Sequence, residues 1–345
     1  MDMLSQYPFG IAVHKREKEM ELVSIRISIR QSLFSALIAC LVLAAWPAVA
    51  RTCTADEKAE ADKKLWLNKR DTTAAINRHL PWGLPESTTS NDSIQVLAQR
   101  DYVLGYDLEL RAPLWTAHRL NAKGLGKSER VDCFRRDPRI DAPAASLPSD
   151  YKEPVFDQGH LTPNGDMSTG LVPVINSFVM SNMAPQFCQF NRGVWQILES
   201  LIRVWVKDKG PLYVVTGSVF DHDGDGRPDA SADVPRMKSS NGKERVAVPS
   251  HFYKIVIHQQ EDGTVEALAF LMPHDMTDVV GDEAIRHLER NLKSIEDIEA
   301  VTGLKLFPAV EGMYPPKVTS LWAFDGAVPR SLVDDRCRAT AGLPR

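Results

Sequence analysis

The chain of 345 residues has no excess of basic side chains: 41 Lys and Arg stand against 45 Asp and Glu, a net charge of −4. That lack excludes a protein that coats nucleic acid by bulk electrostatics and counts mildly against any nucleic-acid partner. Cysteine is scarce, at five, and no two cysteines form a C-x-x-C pair, which argues against a zinc site. Only one long hydrophobic run is present, so a multi-span membrane protein is excluded. Internal repeats and low-complexity blocks are absent, which removes collagen-like and disordered architectures. What is there is ordinary: 43% hydrophobic, 25% charged and 8% aromatic residues, in a length that allows one large domain or two modest ones.

The single apolar run, residues 33–50, reads LFSALIACLVLAAWPAVA, follows Arg26 and Arg30, and ends in the triplet Ala48-Val49-Ala50. A basic flank, an apolar stretch and an A-x-A end are the parts of a secretory signal peptide, with cleavage expected after Ala50. A membrane anchor is the competing reading of about 18 apolar residues, disfavoured by the A-x-A end and the polar sequence beyond it. Residues 1–50 are therefore expected to be a signal peptide with an N-terminal extension, and the protein to be secreted or periplasmic, with no membrane attachment after cleavage. The remaining chain carries a net charge of −5 and four cysteines. An even set in an exported protein points to two disulfides. We expect Cys53–Cys337, tying the ends together, and Cys133–Cys188.

Residues 54–69 are charged and helix-forming, opening on a Thr-x-x-Glu capping pattern at Thr54 and Glu57, and read as a peripheral helix within a helical extension, 51–84. From Asp101 the pattern turns to β: YVLGYDLEL and PLWTAHRL read as a hairpin around Arg111-Ala112. Residues 121–153 read as loop, and 157–191 as strand, loop, strand. In 191–207, Val194, Leu198, Leu201, Ile202 and Val206 recur at helical spacing, an amphipathic helix with one buried face. PLYVVTGSVF reads as a buried strand, HFYKIVIHQ and VEALAFLM as a second hairpin, and Ser294 as the cap of a short helix that stops at Gly303. The pattern is that of one α+β domain, 85–325, followed by a C-terminal tail, 326–345.

The chemistry concentrates in FDQGHLTPNGDM (156–167) and SNMAPQFCQFNRGVWQILE (181–199). His160 follows a strand, between Asp157 and a Thr-Pro turn, and an imidazole there is suited to activating water as a general base. Asn191 opens the amphipathic helix with a hard oxygen suited to Mg²⁺. Glu199 lies two turns on, and Arg203 one turn further brings a positive group to the same region. A water-activating His, a sparsely held hard metal and an Arg make a set able to cleave phosphodiesters. Taken singly, each has a blander role: Asn191 as a helix N-cap, Glu199 and Arg203 as a solvated i, i+4 ion pair.

Taken together these blocks closely resemble the DNA/RNA non-specific endonucleases, the ββα-metal or His-Me finger nucleases. That family's Asp-Arg-Gly-His, Leu-x-Pro and Asp-Met appear here as Asp157-Gln158-Gly159-His160, Leu161, Pro163 and Asp166-Met167. Its Ser-Asn-x-x-Pro-Gln and Asn-x-x-x-Trp-x-x-x-Glu appear as Ser181, Asn182, Pro185, Gln186, Asn191, Trp195 and Glu199. Tyr106, Asp107 and Trp115, TGSVF, PSHFYKIV and IEDIEAVTGLKLFP extend the similarity over most of residues 100–310. The resemblance implies an α+β fold with a ββα-metal finger core set in a mostly antiparallel sheet flanked by helices. It implies His160 as the general base, Asn191 as the sole direct protein ligand of one Mg²⁺, replaceable by Mn²⁺, and Glu199 as the holder of a water of that ion. Arg203 is implied to stabilise phosphate charge in the transition state, with Asp157, Gln158, Asn182, Gln186 and Arg192 on the substrate side. DNA and RNA would be read through their phosphates and cut to leave 5′-phosphates. A homodimer is compatible with this reading. One departure stands out: Gln158 replaces the signature Arg, which should weaken phosphate or structural contacts without abolishing activity.

A second metal motif follows TGSVF: Asp221, Asp223, Asp225 and then Asp229, with Gly226 at the turn. Its D-x-D-x-D-G spacing suits a Ca²⁺ loop. Ala232 at position 12 and Pro228 exclude an EF-hand, leaving a non-EF loop completed by Asp229 or Asp233, or a plain solvated turn. Two other functions stay open at this point: a catalytically weak or inactive nuclease-like module that binds Ca²⁺, and a phosphodiesterase for small esters. Arg192 and Arg203 are expected to make a local positive site on an otherwise acidic protein.

Overall fold

The computed structural model describes residues 51–88, 93–238 and 244–340; the expected signal peptide lies outside them. Helix α1, Ala55–Lys64, begins with the capping box between Thr54 and Glu57. The single helix expected over 54–69 is in fact two. The chain breaks after Lys64, and Asn68 accepts from the Asp71 amide to cap a separate helix α2, Lys69–His79. Nor is α1 merely peripheral: Ala61 is buried against Val131, Cys133 and Phe178, and Asp62 pairs with the buried Arg135 at 2.7 Å.

The sheet strands are β1 (Ile94–Ala98), β2 (Val103–Asp107) and β3 (Ala112–Leu120). After the finger strands β4 (Phe156–His160) and β5 (Met183–Phe187) come helix α3 (Gln196–Lys209), then β6 (Leu212–Val219), β7 (His251–Gln259) and β8 (Val265–Pro273). The main sheet runs β8-β7-β6-β3-β2-β1, antiparallel throughout. Both hairpins read from the sequence are present, β2–β3 turning through Arg111 at φ 55°. Strand β1, which pairs with β2, lies before the β pattern that begins at Asp101; it is a short, partly exposed edge strand with little apolar signature.

Strand β7 shows how the sheet is covered. Tyr253, Ile255 and Ile257 point into one core, with Trp115 and the residues of helix α4 (Ile295–Thr302); Phe252 and Val256 point into the other, with Leu198 and Leu201 of α3. Alternation along a strand sends successive side chains to opposite faces, so a strand covered on both sides reads as a continuous apolar run. The capped helix ends at Gly303 in the left-handed conformation, as its sequence required.

The disulfides are Cys53–Cys133 and Cys188–Cys337. The expected pairing is therefore corrected. Cys53 directly follows the short strand Arg51–Thr52, which pairs in parallel with residues 131–132, and the C-terminal helix, Asp335–Thr340, packs beside Cys188 rather than reaching the N-terminal segment. Among the described residues no helix is long and apolar enough to cross a membrane.

Candidate active site

Strands β4 and β5 form a two-stranded hairpin that pairs His160 with Met183, and α3 packs against it, completing a strand–strand–helix finger. Beside the hairpin lies a cleft of about 670 Å³ lined by Arg130, Phe134, Asp157, Gln158, His160, Asn191, Arg192, Glu199, Arg203 and Leu332, among others. Seven of the residues singled out in the sequence thus meet in one place.

His160 ends its strand with the ring edge-on to Phe178, centroids 4.7 Å apart, and near Phe134 at 6.0 Å. Its Nε2 is buried with no protein partner, so Nδ1 is the nitrogen left to meet the cleft. Burial, aided by the charge of Arg130, lowers its pKa to about 3. The ring is therefore neutral at working pH and has a lone pair to offer.

Asn191 is not the N-cap its position suggested. The segment Cys188–Phe190 is already helical, and the chain passes through a wide, kinked turn, Asn191–Trp195, into α3, with Gly193 non-helical at φ −95°, ψ −116°. Asn191 Nδ2 donates to Asp157 Oδ2 at 2.8 Å. An ionised carboxylate can only accept, so this bond fixes which end of the amide faces it and turns Oδ1 away, with no donor to it among the described residues. A lone hard oxygen held in this way fits a hydrated divalent cation.

Asp157 also grips Arg192 through two hydrogen bonds, 2.8 and 2.7 Å, and Arg192 reaches Asp334 at 3.4 Å. Arg203 donates to Asp166 at 2.9 Å, and Asp166 in turn meets His118 Nε2 at 3.0 Å. Burial would raise the Asp166 pKa, but the His118 hydrogen bond and the Arg203 charge outweigh it and hold the carboxyl below its usual range. Both guanidiniums are thus ion-paired, which takes from them the free positive charge expected of Arg192 and Arg203. No donor among the described residues reaches Glu199, and its expected ion pair with Arg203 is replaced by the Arg203–Asp166 pair. Burial raises the Glu199 pKa, opposed by the charges of Lys254 and Arg203.

Two other expectations need correction. Asn182 is fully buried and spends its amide on Thr162 N and O and Ser177 O, stapling the loop after His160 instead of facing substrate. Gln186 is also fully buried, lying over Gly159 where any Cβ would stand 2.1 Å from its Oε1. Neither lines the cleft. Gln158 does, donating weakly to Pro148 O at 3.5 Å.

Two contributors were missed. Arg130, from the stretch read as loop, lines the cleft while bonded to Asp132 at 2.7 Å, supplying a cation where Gln158 has none. Lys254 is fully buried under the helix, its Nζ on Thr216 Oγ1 at 2.8 Å and 4.5 Å from the Trp195 ring centroid. A lysine inside the apolar run HFYKIVI was the available signal. In the acidic loop, the carboxylates of Asp221, Asp223 and Asp225 come within 4.8 Å of one another. Asp221 accepts from the Gly224 and Gly226 amides, and Asp229 stands apart, accepting from His222 N.

The family model described as DNA/RNA non-specific endonuclease matches residues 84–312. Human mitochondrial endonuclease G is 33% identical over 220 residues, 63% of this chain and 70% of that protein. Nuclease C1 of Cunninghamella echinulata var. echinulata is 31% identical over 222 residues, 62% of this chain and 83% of the relative. The fold is similar to a chain in the crystal structure of the EndoG/EndoGI complex, with a TM-score of 0.54 and 26% identity, over 69% of this chain and 93% of that one. The α+β architecture, the finger and the sequence matches agree: the chain belongs to the DNA/RNA non-specific endonuclease family and is a hydrolase of nucleic acid.

Proposed function

We propose that the protein is an exported, Mg²⁺-dependent endonuclease that cuts DNA and RNA without regard to sugar, leaving 5′-phosphates. The observation that carries this reading is the shared cleft of His160 and Asn191, with Asp157 orienting the amide oxygen outward. His160 Nδ1 takes the proton from the attacking water. Its low pKa makes it a weak base by itself, and the negative charge of an entering phosphodiester monoanion raises that pKa by favouring the protonated ring. Asn191 Oδ1 would be the sole direct protein ligand of Mg²⁺, or of Mn²⁺ in its place, with Glu199, which lines the same cleft, holding a water of that ion. The ion, when bound, supplies Lewis-acid stabilisation of phosphate and leaving-oxygen charge. Arg203, held by Asp166, and Arg130 face the phosphate; their paired carboxylates keep the guanidiniums in place. Export is supported by two disulfides, which persist in oxidising compartments. The acidic loop, through Asp221, Asp223 and Asp225, is a separate Ca²⁺ candidate.

The test is cleavage of plasmid DNA and of RNA in Mg²⁺ and in EDTA, with a small aryl phosphodiester alongside. Wild type should cut both polymers in Mg²⁺ and neither in EDTA, and His160→Ala should lose about 10²–10⁴ in kcat. Cleavage that persists in EDTA and in His160→Ala sinks the mechanism. Turnover of the small ester alone favours the small-ester phosphodiesterase. No cleavage, with a Ca²⁺-dependent rise in melting temperature, favours the binding module.

A further inference from the structure

The segment after residue 312 lies beyond the matched family region, yet it reaches the cleft. It runs back along α3: the Trp205 indole donates to Trp322 O at 3.2 Å, the two rings 5.5 Å apart edge to face, and Val328 packs against the same core. It then crosses the wide turn that carries Asn191. Leu332 N donates to Arg192 O at 2.7 Å, and Ser331 Oγ reaches the same carbonyl at 3.4 Å. Val333 lies over Gly193, where a Cβ would be in ordinary contact with its Cγ2 at 3.4 Å. Asp334 meets the Arg192 guanidinium, Gln189 Nε2 donates to Cys337 O at 2.7 Å, and Cys337 is bonded to Cys188, three residues before Asn191.

A kink at a non-helical residue interrupts the helical hydrogen-bond ladder and persists where outside contacts define it. Asp157, Phe252 and Lys254 supply part of those contacts; the tail supplies the rest, and its contacts converge on Arg192, which grips the same Asp157 that orients the Asn191 amide. We infer that the C-terminal strap, residues 331–337, is a positioning element of the active site, holding the turn in the shape that presents the Asn191 oxygen to the cleft. The exposed side chain of Leu332 forms the adjoining wall. The inference rests on the proposed metal-holding role of Asn191.

Four variants test it: Leu332→Pro, which removes the bonding N–H; Leu332→Ala, which keeps it; the double variant Cys188→Ser/Cys337→Ser, which cuts the tether; and Asn191→Ala. Mn²⁺ binding is read by electron paramagnetic resonance, and hydrogen exchange over residues 188–196 is read in metal-free protein. Leu332→Pro and the double variant should exchange faster there and bind Mn²⁺ about tenfold more weakly, while Leu332→Ala binds as wild type. Where Leu332→Pro fails to fold, the double variant decides. Wild-type Mn²⁺ affinity in the strap variants, with binding lost in Asn191→Ala, overturns the strap's role. Wild-type affinity in Asn191→Ala overturns the metal assignment itself, and this inference with it.

Discussion

Asp157 has two partners, and each constrains the other. The carboxylate orients the Asn191 amide through Oδ2 while both its oxygens hold Arg192. Asp157→Ala should free the amide to rotate and leave Arg192 without its main partner. The expected outcome is a rise of about tenfold or more in the Mg²⁺ concentration needed for half-maximal cleavage, read from an activation curve. Lys254 acts at longer range. Its charge opposes the burial that raises the Glu199 pKa, so removing it raises that pKa further. In Lys254→Met the acidic limb of the pH–rate profile should therefore move to higher pH; an unmoved limb would separate Lys254 from Glu199. The amino-acid types of the site were legible because the blocks around His160 and Asn191 resemble a family signature; each residue alone has a blander role. Their partners were not: nothing in the order of residues says that Asp157 meets Asn191 and Arg192, 34 and 35 positions away.

Elements were legible where local chemistry decides them and obscure where packing does. Capping at Thr54 and Ser294, the β7–β8 hairpin and the buried stripe of α3 follow from patterns a few residues long. Strand β1 is a short, partly exposed edge strand, and its pairing with β2 is set by the sheet. The wide turn at Asn191–Trp195 carries no periodic signature either, since it depends on Gly193 and on the strap above it. Close packing between strands yields a sharper prediction. A Cβ on Gly217 would stand 2.1 Å from Leu114 O and 2.3 Å from the Tyr253 ring, and a backbone carbonyl in a central strand cannot step aside. Gly217→Ala should cost about 2–3 kcal/mol, lowering the melting temperature by roughly 5–10 °C in a thermal scan.

Among the described residues, burial lowers the pKa of three imidazoles furthest. His160 is lowered to about 3, and His79 and His274 to about 4. The unfolded chain protonates these rings near pH 6.5 and the folded one does not, so acidification favours unfolding. Each ring should remove about 1.4 kcal/mol per pH unit as pH falls from about 6.5 towards the folded values. Denaturant unfolding at pH 7, 6 and 5 should show stability falling with pH; a flat profile would contradict the buried, neutral state. The net charge, by contrast, says little about the site. The cleft's arginines carry their own carboxylates, so the site gathers oriented donors more than free positive charge.

By itself the sequence determined the α+β class, the finger motif with its His and Asn, and most local elements, because these depend on residue types and short spacings. Only the tertiary structure decided which cysteines pair, which carboxylate orients Asn191, that Asn182 and Gln186 turn inward, and that a tail from beyond the family region reaches the active site. Those are contacts between segments far apart in the chain. Their distances are set by how the sheet, α3 and the strap pack, and spacing along a single element carries no record of that.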